Sequence, residues 1–252
     1  MSLLKKLFRI VHSIIAWPLF CLIFFSHMVL SFVVYIILPK PYYVVHYLSA
    51  ICLRAILMIG FVRPVIKGLD RVPKNGPFVL MANHSSLVDI PIILMSLPRY
   101  GCFIAKKELK RTPFLGLSMI FQGHFFIDRK NPKESIRLMD KIGDEVIKRE
   151  VILLVFPEGT RSKDGKLAPL KLGSFKIATQ KGIPILPCAI TGAADILPKK
   201  KLMFCPGTLT IEYGDPIPVE KVEVKSKAEH KAAAEKLAVK VKNALRDMGC
   251  AT

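Results

Sequence analysis

Between Arg9 and Lys40 the chain carries no charged side chain: thirty consecutive residues, Ile10 to Pro39, contain no Asp, Glu, Lys or Arg. A helix needs about 20 apolar residues to cross a bilayer core, so this run is long enough to span a membrane. No other feature constrains the fold as strongly. A second apolar run covers Tyr42 to Phe61 and is interrupted by Arg54. Between the two stands Pro39-Lys40-Pro41. Proline removes a backbone donor and disfavours helix in the residue before it, so the join reads as a break between two helices. The expectation for 1–60 is an N-terminal hydrophobic helical hairpin.

Three environments compete for that hairpin. A cleaved signal peptide shares the basic start, but the apolar run is too long and no A-x-A-like site follows it. A buried soluble hairpin would need a large protein surface to cover Trp17, Phe20, Phe24, Phe25 and Phe32. Membrane attachment needs neither. Lys5, Lys6 and Arg9 favour a cytoplasmic N-terminus. A single pass would then put the rest of the chain outside, whereas two passes or a hairpin in one leaflet would return it. Arg54 at the midplane would cost about 2.5–3.5 kcal/mol, so a leaflet hairpin with Arg54 snorkelling to the headgroups stands beside a double pass. The expected location is a membrane, with the remaining chain on its cytoplasmic face (the inner membrane if bacterial).

The chain has 252 residues, room for one catalytic-sized domain beyond the hairpin. Its 38 Lys+Arg against 19 Asp+Glu give a net charge of +19. That predicts an anionic partner: a membrane surface, a phosphorylated substrate or a nucleic acid. Nucleic acid is set aside, because no recognised binding motif is present and many aromatics lie in the apolar N-terminal segment rather than among the lysines. The six cysteines form no C-x-x-C, so neither a zinc site nor a disulfide framework is suggested.

After Gly60 short β-branched runs alternate with amphipathic stretches. Strands are expected at Val62–Lys67, Pro77–Ala82, Gly101–Ala105, His124–Ile127, Val151–Phe156, Ile183–Ile190 and Thr208–Tyr213. Pro132–Glu150 has helical spacing, with Ile136, Met139, Ile142 and Val146 on one face. A terminal amphipathic helix follows from Ala234, Leu237, Val241, Leu245 and Met248, with Lys236, Lys240 and Lys242 opposite. This alternation predicts one α/β domain over 61–252, a mixed, largely parallel sheet flanked by helices.

Asn83-His84-Ser85-Ser86-Leu87-Val88-Asp89 follows a predicted strand and opens a helix, the place where α/β sheets bind ligands. In a purely structural account Ser86 caps the helix, Asp89 completes a capping box and His84 is a turn residue. In the functional account His84 is a general base and Asp89 holds its second nitrogen. Such a pair activates a hydroxyl that the substrate brings. A serine hydrolase fits poorly: there is no G-x-S-x-G, and Gly116-Leu117-Ser118-Met119-Ile120 lacks the last glycine. Two further strand ends carry anion-binding types, Gly123 through Asp128-Arg129 and Phe156-Pro157-Glu158-Gly159-Thr160-Arg161-Ser162. Gly159 permits close backbone approach, Thr160 offers a hydroxyl, and each arginine can grip a phosphate with two parallel bonds. The alternative is a surface turn with Arg161 paired to Glu158 or Asp164. Lys106 and Lys107 extend the cationic rim.

These blocks together resemble the glycerolipid acyltransferase family. Its H-x-x-x-x-D is matched by His84 and Asp89, its glycine-strand-arginine block by Gly123 through Arg129, and its F-P-E-G-T-R-S by Phe156–Ser162. The apolar strand with a proline is similar to Ile185-Leu186-Pro187-Cys188-Ala189-Ile190. Four motifs in order make the likeness specific. The resemblance implies acyl transfer from acyl-CoA or acyl carrier protein to the sn-2 hydroxyl of a lysophosphatidic acid, giving phosphatidic acid, with no cofactor and no metal. It implies His84 as base and Asp89 as its orienter, with Arg129, Glu158, Gly159, Thr160 and Arg161 holding the glycerol phosphate and Pro187 shaping the site. Backbone N–H groups after His84 are expected to stabilise the oxyanion.

Overall fold

In a computed structural model the described residues are 3–39, 41–128, 131–162, 165–197, 205–222 and 227–251. Two helices open the chain, α1 (Leu3–Ile37) and α2 (Pro41–Ile59), broken at the Pro-Lys-Pro join. Seven strands follow: β1 (Val62–Lys67), β2 (Phe78–Ala82), β3 (Gly101–Lys106), β4 (Phe125–Ile127), β5 (Ile152–Val155), β6 (Ile185–Thr191) and β7 (Gly207–Tyr213). All seven predicted strands are present, with ends shifted by a residue or two. The largest shift is at β6, because Gly182 closes the preceding helix in a left-handed conformation (φ 66°) and the chain pairs only from Ile185.

The intervening helices are α3 (Asp89–Ser96), α4 (Leu115–Phe121), α5 (Pro132–Arg149), α6 (Gly173–Lys181), α7 (Ala193–Ile196) and α8 (Lys227–Asp247). The sheet order is β1-β7-β6-β2-β5-β3-β4, parallel at every junction but β6–β7. The central strand β2 is buried along its whole length, as a strand covered on both faces must be. One face of the sheet packs on α3 and the hairpin, through a core that includes Leu80, Ile92, Leu154, Leu186, Leu57 and Ala16. The other packs on α5, α6 and α8, through Val79, Leu153, Ile142, Ile177 and Val241. In α8, Ala234, Leu237, Val241 and Leu245 are buried while Lys236, Lys240 and Lys242 are exposed.

Residue 60 marks a change of sequence pattern, not a gap in packing. The inner face of α2 buries Val45, Cys52, Ile56 and Leu57, and α2 lies against α3 and β1. The outward face of α1 stays apolar and uncovered, with Leu22 61% and Phe25 50% exposed. Both helices are long and apolar enough to cross a membrane.

Candidate active site

Because β2, β5, β3 and β4 run parallel, the loops after them emerge on one edge. That edge collects His84 after β2, Glu158 to Arg161 after β5, Lys106 and Lys107 at the end of β3, and Asp128 after β4. Lys107 Nζ lies 3.6 Å from a carboxylate oxygen of Asp128, tying two of these ends together. Arg129 and Asp164 lie outside the described residues.

The turn after β2 is fixed from three sides. Asn83 pairs its side-chain amide with β6: Nδ2 donates to the Ile190 carbonyl (2.8 Å) and Oδ1 accepts from the Ile190 N–H (2.7 Å). Asp89 starts α3, has no exposed surface, and turns its carboxylate back over the turn. Its Oδ2 accepts the N–H groups of Ser85 (2.7 Å) and Ser86 (2.8 Å) and lies 2.7 Å from His84 Nδ1. An oxygen that already accepts two amide protons is an acceptor for the third contact as well, so Nδ1 carries a proton and, in the neutral imidazole, Nε2 is the nitrogen that bears the lone pair. His84 retains 15% side-chain exposure.

The capping-box account of this segment holds in part. Asp89 Oδ2 accepts the Ser86 N–H (2.8 Å), as that motif requires, and Ser86 Oγ accepts from Val88 N (3.4 Å) while donating to the Leu197 carbonyl (2.8 Å); but Val88, not Ser86, occupies the N-cap position of α3, and the same carboxylate oxygen also reaches His84. The oxyanion expectation also changes. The amides of Ser85 and Ser86, the first two after His84, are taken by Asp89 and are not available to a substrate oxygen.

The loop after β5 holds His84 from the other side. His84 N donates to Glu158 Oε1 (2.8 Å), and the His84 carbonyl accepts from Ser162 N (2.7 Å). The Phe156 ring stacks on the imidazole, with centroids 4.0 Å apart and planes 17° from parallel. Glu158 was expected to touch the acceptor. Instead it is 2% exposed, and its second oxygen accepts from Ala168 N (2.9 Å). A buried carboxylate whose two oxygens face two backbone amides positions a loop. Burial raises its pKa, against the opposing pull of the Ala168 and His84 amides. Gly159 (φ 71°) lies under a side chain no motif flagged: a Cβ there would stand 2.8 Å from Lys171 Nζ and 3.0 Å from its Cδ. Thr160 is exposed and Arg161 is half-buried on the same loop. Pro187 sits inside β6 in register with Met81, one strand away from the His84 turn.

Beside this edge a cavity of about 110 Å³ is bounded by α1, α2, α3, α4 and β3, with Phe24, Leu53, Ile90, Leu94, Phe103 and Met119 in its wall. Polar groups also reach it: Ser49 Oγ donates to the Val45 carbonyl, accepts contact from His27, and lies 3.3 Å from Gln122 Oε1. Among the described residues no group of three or more metal-binding side chains occurs.

Residues 63–191, just over half of the chain, match the protein family described as Acyltransferase. The chain belongs to that family. The match contains His84, Asp89 and the Phe156–Ser162 loop. The chain is 38% identical over 143 residues to a 1-acyl-sn-glycerol-3-phosphate acyltransferase of Cocos nucifera, covering 57% of this chain and 46% of that one. It is 34% identical over 196 residues to the protein of that name from Saccharomyces cerevisiae, covering 77% and 63%. It thus spans about half the length of the curated relatives it matches. Among solved structures it resembles the 1-acyl-sn-glycerophosphate acyltransferase of Thermotoga maritima, with a TM-score of 0.75 and 26% identity over 95% of this chain and 97% of that one.

Proposed function

We propose that this acyltransferase moves an acyl chain from acyl-CoA or acyl carrier protein to the sn-2 hydroxyl of 1-acylglycerol 3-phosphate, forming phosphatidic acid. The observation that carries the reading is the His84 Nδ1–Asp89 Oδ2 contact of 2.7 Å on a turn stitched to the Phe156–Ser162 loop. The relatives' names point to the same acceptor.

The acceptor phosphate docks near Arg161, with Arg129 and Thr160 as further partners. This sets the free hydroxyl at His84 Nε2. The imidazole takes the hydroxyl proton while the oxygen forms a bond to the thioester carbonyl carbon. Asp89 steadies the imidazolium. Collapse of the tetrahedral intermediate breaks the carbon–sulfur bond, and the imidazolium returns its proton to the leaving thiolate. The base is regenerated and no cofactor is consumed. The apolar cavity beside α3 suits an acyl chain. The apolar outer faces of α1 and α2 attach the enzyme to the membrane that holds its lysolipid, since each buried CH₂ is worth about 0.8 kcal/mol. Cytoplasmic thioester donors require the site to face the cytoplasm.

The test is incubation of the purified chain with labelled acyl-CoA or acyl carrier protein and a panel of lysolipids. Labelled phosphatidic acid from lysophosphatidic acid is the expected product. Preferential acylation of lysophosphatidylcholine, or thioester hydrolysis without transfer, would contradict the acceptor assignment.

A further inference from the structure

The link between β3 and α4 contains a backbone conformation that no part of the proposed chemistry uses. Phe114 has φ 61° and ψ −54°, and Leu115 N donates to the Pro113 carbonyl two residues back (2.6 Å). That is a γ-turn of the rarer hand, strained for any residue with a side chain. Glycine would relieve it, yet the position holds a phenylalanine that is 57% exposed. The strained turn projects a large apolar ring away from the protein.

The ring is not isolated. Leu115, Leu117 and Ile120 of α4 are 37%, 44% and 38% exposed, while Gly116, Ser118, Met119 and Phe121 face inward. The inward side fits tightly: a Cβ at Gly116 would lie 2.3 Å from the Lys110 carbonyl oxygen. The backbone of α4 is therefore packed directly on the segment before it, with the apolar face turned outward. That face continues the uncovered face of α1, since the Phe114 ring meets Phe25 edge-on at 5.9 Å, while the inward-facing Phe121 packs on Phe32 of the same helix at 5.4 Å. Just before the turn, in the 3-10 helix Lys107–Arg111, Lys110 and Arg111 are exposed. An apolar tip with cations one turn behind it matches the depth profile of an anionic leaflet, hydrocarbon below and phosphate above.

We propose that the Thr112–Phe121 segment is a separate membrane-contact element, in which Phe114 and the outer face of α4 enter an anionic leaflet beside α1 while Lys110 and Arg111 engage lipid phosphates. The inference rests on the membrane attachment of α1 and α2, and not on the roles of His84 and Asp89. It places the α4 wall of the cavity beside the lipid surface, because Leu115 lines that cavity and also belongs to the exposed face.

Trp17 is the single tryptophan, so a Trp17→Phe background allows one reporter indole at a time. Full-length chains carrying Leu22→Trp on α1, Phe114→Trp or Leu117→Trp are reconstituted into phosphatidylcholine–phosphatidylglycerol vesicles, with bromine on the chains of one lipid or the other. All three indoles are expected to emit to the blue of an indole in water and to lose intensity to brominated lipid. For the two reporters near Lys110 and Arg111, brominated phosphatidylglycerol should quench more than the same fraction of brominated phosphatidylcholine. Quenching of L22W without quenching of F114W and L117W overturns the proposal and leaves the hairpin's attachment standing. Blue-shifted but unquenched F114W and L117W place the face against another protein copy, and also overturn it. Equal quenching by both lipids removes the anionic partner. An unquenched L22W overturns the attachment itself.

Discussion

Asp89→Asn is the substitution whose outcome this geometry fixes most tightly. An asparagine has two ways to sit. With its amide nitrogen toward the turn it would oppose the N–H groups of Ser85 and Ser86, both now directed at Oδ2. With its carbonyl oxygen there, all three existing donors keep an acceptor, and the amide nitrogen falls where Oδ1 has no partner. The second arrangement wins, and the imidazole keeps its tautomer. What is lost is the charge. A hydrogen bond to a charged group contributes about 1.5–3 kcal/mol and a neutral one about 0.5–1.5, so the imidazolium in the transition state loses roughly 1–2 kcal/mol. That is a fall in kcat of roughly 5- to 30-fold with little change in KM. A variant that turned its nitrogen to the ring would hold the wrong tautomer and lose on the order of 10⁴-fold. Steady-state rates at saturating donor and lysophosphatidic acid, with a thermal melt to confirm folding, separate the cases. An unchanged kcat would show that the carboxylate charge does not act on His84. A loss near 10⁴-fold would show that the amide protons of Ser85 and Ser86 do not hold the side chain as described.

Other outcomes follow from neighbouring contacts. Glu158→Gln must set an NH₂ against one of the two backbone amides it now accepts, which costs about 1–3 kcal/mol of stability and lowers the rate through the displaced His84 turn; identical melting and turnover would leave Glu158 without a positioning role. Arg161→Ala should raise KM for the phosphorylated acceptor more than it lowers kcat, and an unchanged KM removes it from the site. His124 is buried against Phe103, and burial, with Arg149 and His46 nearby, pushes its pKa down from 6.5 to about 3. The unfolded chain binds that proton first as pH falls, so stability is lost between pH 6.5 and about 3, by up to ~1.4 kcal/mol per pH unit. Urea titrations of His124→Leu at pH 7 and pH 5 should show a smaller pH dependence than wild type; an equal dependence would contradict the assignment.

The strands and the hairpin were legible because each carries its signal locally. Runs such as Val151 to Phe156 between turn residues mark a buried strand whatever lies beside it. The His84 and Asp89 spacing was equally local, one turn bridged by five residues. The roles of Asn83 and Glu158 were not, because each depends on a strand far away in sequence: Asn83 on Ile190 of β6, Glu158 on the turn after β2. Sequence types Glu158 as an exposed acid beside a glycine, and only the parallel pairing of β2 with β5 turns it inward. Phe156 on the imidazole and Lys171 over Gly159 are hidden for the same reason. Helix α4 leaves no signal in the sequence, because its seven residues, Leu-Gly-Leu-Ser-Met-Ile-Phe, are largely apolar on both faces and give no period. That absence of amphipathic contrast is what a helix packed on protein at one side and uncovered at the other would show.

The central assignment is that His84 removes the acceptor's proton. Its most direct measurement is the turnover of His84→Ala beside wild type, with lysophosphatidic acid and acyl thioester, in preparations with matching thermal unfolding. A positioned base contributes about 10²–10⁴-fold, so the variant should fall by that factor while still binding lysophosphatidic acid. Turnover equal to wild type in a folded His84→Ala protein would mean that another group, or none, does this work.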